Sequence, residues 1–528
     1  MQALSRIVWL IPCIGMMLPT TAQDYNIVDF GARSDPSFLN TGAINAAVSR
    51  CSEAGGGRVI IPAGTYLSGT IELRDHVDLH IIRGGILKAS PDLKDLSKKE
   101  DQLARGENVV THGLVIATGA KQVAITGGGM IDLSGEHFKI PWEMHVSGRL
   151  EKSHIRQGEA YQREGVYRPD GPVKMKQRPG FMIRFIDCDQ VLLEGITIVD
   201  SPHWAVRIET SRNIHISRVN IFNDPMIPNS DGIHTTCSEN ITVSDCHFTC
   251  GDDALIFTGF GEVQTPTRNV VVQNCILQSR SAGIRIGPGE ADITNLTFSN
   301  ILIKESNRGI GIFTRDRGSV SNVLFSNVIM KTRLHAGWWG SGEPIHMSAI
   351  RRTAQETLGT ISNVRFNQVM ATAEQGIVLY GDEADAIRDI SFENLQLTIS
   401  DGKESRTYGG NFDLRPARYK KDEIFSHEIP GMFCKNVHTL TLDGFDLRWG
   451  DHLASYFTHG LECERVSGLT VDSFSGAAPP GVDKPLIMLR DTRVDLIQDC
   501  RFHGEEGRFL HRTGEFAESG VVVPPISE

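Results

Sequence analysis

Asn213-Ile214-His215-Ile216, Asn240-Ile241-Thr242-Val243, Asn269-Val270-Val271-Val272, Asn295-Leu296-Thr297-Phe298 and Asn322-Val323-Leu324-Phe325 repeat one pattern: a polar residue, then apolar, any residue, apolar. The first apolar members (214, 241, 270, 296 and 323) are 27, 29, 26 and 27 residues apart. Asn363-Val364-Arg365-Phe366, Asp389-Ile390-Ser391-Phe392 and Gly468-Leu469-Thr470-Val471 continue the pattern after longer gaps, which imply loops inserted into single turns. A period of two marks a strand. A strand-bearing repeat of this length marks a solenoid, in which each unit buries its apolar side only against its neighbours. The consensus of leucine-rich repeats is absent.

A second strand follows each first one. Val206, Ile233, Leu255, Ile284, Ile310, Ile345 and Ile377 align as an apolar, inward column. Two positions earlier the column reads Trp204, Asp231, Asp253, Ala282, Arg308, Glu343, Gln375; one position later it reads Arg207, His234, Ile256, Arg285, Gly311, His346, Val378. Both flanking columns are expected on the outer face. Rungs lie about 4.8 Å apart, so residues 21 to 29 apart in sequence become neighbours there.

The ends and the bulk fit an all-β solenoid. A chain of 528 residues exceeds what one compact core usually reaches, and a linear array escapes that limit. Its net charge of −11 gives no reason to expect nucleic acid or an anionic membrane as partner. Residues 1–22, with Arg6, the apolar run Ile7–Leu18 and Thr20-Thr21-Ala22, read as a cleaved secretory signal, placing the protein outside the cytoplasm, secreted or periplasmic. Residues 23–67 read as an N-terminal cap with a short helix started by Thr41, and 68–512 as the helix of rungs. Insertions are expected near 136–178, 331–343 and 403–433, with a tail at 513–528. Nine cysteines follow the signal and read as buried thiols rather than a disulfide scaffold.

The chemistry concentrates in Asn229-Ser230-Asp231-Gly232 and Gly251-Asp252-Asp253. Cleaving a glycosidic bond takes one protonated carboxyl to donate to the leaving oxygen and one carboxylate to activate water or attack. Crowded acids raise one another's pKa and keep such a proton available. Aspartates at rung ends also cap turns, and clustered carboxylates also hold calcium, so spacing alone leaves those readings open.

The two motifs, in this order and spacing, resemble the Asn-Thr-Asp and Gly-Asp-Asp motifs of the polygalacturonase family of glycoside hydrolases. Arg178-Pro179 and Ser201-Pro202-His203-Trp204 are similar to that family's approach to its site. The resemblance implies a single-stranded right-handed parallel β-helix that inverts the anomeric centre, with Asp252 as general acid and Asp231 and Asp253 positioning water. It implies no metal or other cofactor, and a polysaccharide or oligosaccharide partner. The chain departs from the family at three places. Ser281-Ala282-Gly283 stands for Gly-His-Gly, Gly311-Ile312-Phe313 for Arg-Ile-Lys, and Thr258 for a lysine. Those basic groups hold the carboxylate of galacturonic acid, and a charge-assisted contact is the stronger kind. A changed sugar is therefore expected, perceived by Asn229, Trp204, Arg308 and Glu343, with Arg285, His234 or His346 in the vacated roles. Trp338 and Trp339, in an inserted loop, are expected as sugar platforms. A polysaccharide lyase and a non-catalytic glycan-binding helix are the competing functions.

Overall fold

The computed structural model describes residues 23–102, 108–144, 171–261, 263–416, 424–504 and 507–527. The secretory signal expected at 1–22 lies outside them. The chain coils as a right-handed parallel β-helix. One wall is a 14-stranded parallel sheet running from Ile71–Leu73 to Leu510–Thr513; the rest is a larger sheet bent around the other sides.

The repeat reads directly into the ladder. Ile214 stands opposite Ile241, then Val270, Leu296, Val323, Val364, Ile390, Leu440 and Leu469. The repeated asparagine has a backbone reason. Asn213, Asn240, Asn269, Asn295, Asn322 and Asn363 all have φ between 50° and 62°, a left-handed conformation that Asn tolerates better than most residues. Each amide after the first donates to the one before it, at 2.8 to 3.3 Å. Inside, Phe298, Phe325, Phe366 and Phe392 stack ring on ring at 4.6 to 4.9 Å. The rung carrying Leu440 escapes the pattern because Thr439, not asparagine, makes the left-handed bend (φ 56°).

The helix Thr41–Glu53 covers the N-terminal end, burying Ile44, Ala47, Val48 and Cys51. The helix begins at Thr41 as expected, with Asn40 in the cap position, and the Thr41 hydroxyl accepts from the Gly69 N–H at 2.7 Å. Parallel pairing already joins Gln23–Asn26 to Gly57–Ile61, and it reaches Val521–Val522, so the boundaries at 68 and 512 do not mark the ends of the ladder. Pairing these end strands satisfies backbone groups that an open edge would leave bare. The nine cysteines among the described residues are free and buried. Among the described residues no helix is long and apolar enough to cross a membrane.

Candidate active site

The 14-stranded sheet keeps the register read from the sequence. Val206, Ile233, Leu255, Ile284, Ile310 and Ile345 stand opposite one another in turn, and beside them Arg207, His234, Ile256, Arg285, Gly311, His346 and Val378. Strand alternation does not explain the acids, however. A residue two before an inward one shares its parity. Asp231 and Asp253 face out because the strands start only at Ile233 and Leu255, leaving both acids in the preceding turn. Glycine makes that turn possible: a Cβ on Gly232 would lie 2.2 Å from the Ala254 carbonyl oxygen, and one on Gly251 would lie 2.3 Å from that of Ile227.

Asp231, Asp252 and Asp253 come together on adjacent rungs, each with different support. Asp253 is a buried carboxylate that accepts from the Ala282 N–H at 2.8 Å and pairs with Arg285 at 2.6 Å. Asp252 is only partly buried; it accepts from its neighbour's N–H at 3.0 Å and from Asn229 Nδ2 at 3.4 Å. Burial first, then the charge of Asp253, push its pKa up to about 7, against a smaller opposing pull from Arg285. Asp231 is buried, with Oδ1 making no hydrogen bond in the structure and Oδ2 3.8 Å from His234 Nδ1. Burial, Asp252 and Asp253 hold its pKa well above the usual carboxylate range. Two protonatable carboxyls thus face a third that is tied to a cation.

Trp204, His234, Asn229 and Arg285 surround the acids. The His234 ring stacks on Trp204 at 4.0 Å, and its Nε2 lies 2.9 Å from the Thr258 hydroxyl, so Thr258 partners the histidine. Burial, then Arg285, keep His234 well below its ordinary pKa. Arg285 does not stand ready for a uronate, because Asp253 occupies it. Arg178, in the Arg178-Pro179 motif, supports the Asn229 turn from outside the acid cluster. It donates to the carbonyls of Pro202 (2.6 Å) and Pro228 (2.5 Å) and to Asn229 Oδ1 (2.9 Å). Burial lowers its pKa to about 10, against the opposing charges of Asp252 and Asp231. Arg178 thereby locks the Asn229 turn that carries Asp231.

Arg308, Glu343 and His346 are tied to one another instead of to the acids, and Trp338 is buried. Arg308 is 1% exposed and His346 0%. Arg308 Nε pairs with Glu343 at 2.6 Å, and His346 Nδ1 lies 3.2 Å from the same carboxylate. Arg308 also donates to the carbonyls of Asp413 (2.9 Å) and Arg415 (3.2 Å). Residues 411–416 of the third insertion lie across these rungs, which sequence periodicity does not reveal. Trp338 is buried, its carbonyl accepting from Arg415; Trp339 is the more open of the two, at 37%. Phe313 is buried with Arg308 and Arg315 over its ring at 5.1 and 5.2 Å. Among the described residues no three His, Cys, Asp or Glu side chains are arranged to hold a metal ion.

The family model of glycosyl hydrolases family 28 matches residues 51–409, more than half of the chain. The chain belongs to glycosyl hydrolases family 28. It is a glycosyl hydrolase of polygalacturonase-like type. It is 26% identical to a probable polygalacturonase of Vitis vinifera over 72% of this chain and 75% of that one. It is 22% identical to an endo-polygalacturonase of Pectobacterium carotovorum subsp. carotovorum, covering 69% and 85%. Its fold is similar to the exopolygalacturonase of Thermotoga maritima, with a TM-score of 0.59, 21% identity and coverage of 81% and 92%. A family 28 exopolygalacturonase of Yersinia enterocolitica gives a TM-score of 0.60 at 19% identity, covering 86% and 78%.

Proposed function

We propose that the protein is a secreted, inverting glycoside hydrolase acting on a pectin-like or other α-galactosyl or galacturonosyl glycan. Asp252 is the general acid: its carboxyl still carries a proton near neutral pH and is the least buried of the three. Asp253, oriented by Arg285 and the Ala282 N–H, takes a proton from water held between it and Asp231. The reading rests above all on three carboxyls converging on one face, two of them with raised pKa values, a combination typical of acid–base sites.

The recognition of a uronate turns on the basic residues. Arg285 is committed to Asp253 and Arg308 to Glu343, so the family's uronate grip is not rebuilt from these two. Release of reducing ends from polygalacturonate, measured beside neutral α-galactosides, tests both parts. Activity on either class that disappears in Asp252→Asn supports the hydrolase. Activity that survives the substitution contradicts it, and vigorous polygalacturonate cleavage contradicts the altered sugar.

A further inference from the structure

We infer that the catalytic face is stopped at its C-terminal side by a fixed wall, so that the enzyme works from a chain end and releases short products. This rests on the hydrolase reading above. The rung after Asp253 carries Ala282, whose N–H the acid binds; the next carries Arg308, already under the wall. A saccharide lying along the column of acids has two rung spacings, about 10 Å, before it meets protein.

The wall is built as a second small core, not as a loose loop. Phe412 stacks on the outward ring of Phe433 at 5.3 Å, and Gln375 donates to the Asn411 carbonyl at 3.0 Å. The Asp413 carboxylate accepts from the Gly340 N–H at 2.8 Å and pairs with Arg415 at 2.5 Å, joining the second insertion to the third. Arg315 donates to the Leu414 carbonyl at 2.9 Å from below. Although burial works the other way, Arg415 and Arg308 hold Asp413 down to about 2. Its charge therefore stays in place throughout the working pH range. Opening such an arrangement would strand several buried charges, so a polymer cannot simply push it aside.

The intact protein is tested on long polygalacturonate and on end-labelled oligogalacturonides, with neutral galactans in parallel. On whichever of these polymers is cleaved, reducing ends are expected to rise while viscosity stays nearly constant, with one short product dominating from the first turnovers. Rapid viscosity loss and a ladder of products overturn the wall but leave the hydrolase standing. No hydrolysis of any of these substrates overturns both. The Asp413→Ala/Arg415→Ala double variant, checked for its fold by circular dichroism, is expected to shift products towards internal cleavage. If it folds and its product pattern is unchanged, the wall does not set the cleavage mode.

Discussion

Asp231, Asp252 and Asp253 on one side, and Arg308, Glu343 and His346 on the other, lie on nearby rungs of one sheet and look alike in sequence. The structure treats them oppositely. In the downstream group Arg308 and His346 both lie against Glu343, whose carboxyl is lowered by Arg308 and His346 despite burial. In the upstream group burial and mutual repulsion raise Asp231 and Asp252, and one Asp231 oxygen makes no hydrogen bond in the structure. Charged residues in a row do not distinguish a reacting site from a structural ion pair. The distinction lies in whether each charge has been neutralised by its neighbours.

The contrast can be tested by breaking each group in turn. Asp252→Asn removes the proton donor, and kcat should fall by about 10²–10⁴-fold. The same variant should not lose stability at pH 8. A carboxyl raised to about 7 disfavours the folded state increasingly as pH climbs from its unfolded value towards 7, and the amide abolishes that slope. Thermal unfolding at pH 5 and pH 8 measures this. Arg308→Met leaves Glu343 buried without its cation and should cost about 3–5 kcal/mol in denaturant unfolding, with a smaller loss of kcat than Asp252→Asn. Wild-type activity should decline above about pH 7 as Asp252 loses its proton. Arg285→Ala should move that alkaline limb upward by about one unit or more, because Arg285 favours the charged forms of Asp252 and Asp231. Arg285→Lys should restore part of the shift. Asn295→Ala, in the asparagine ladder, should cost about 1–2 kcal/mol from the lost amide bonds and the left-handed bend, with kcat unaltered.

Much of this was legible because the fold repeats. Every rung restates its register, so Ile214, Ile241 and Val270 could be stacked from spacing alone, and the motif acids fell on adjacent turns. What was not legible has no period. Thr439 bends the chain as the asparagines do but carries a different side chain, so its rung does not show the repeated motif. The outward direction of Asp231 depends on where a strand starts, not on its alternation. The cover over Arg308 comes from residues roughly a hundred positions later, and no local pattern says which face an insertion will lie on. Arg178 was visible as a motif, but its reach to Pro228 and Asn229 required the coil to close.

The central claim is that a protonated Asp252 and a water activated beside Asp253 act on opposite sides of an α-glycosidic bond. Proton NMR of the first turnovers on a substrate that is cleaved tests it most directly. The account predicts that the new reducing end appears as the β anomer and drifts to the mixture by mutarotation. A first-formed α anomer, or an unsaturated product absorbing in the ultraviolet, would contradict it.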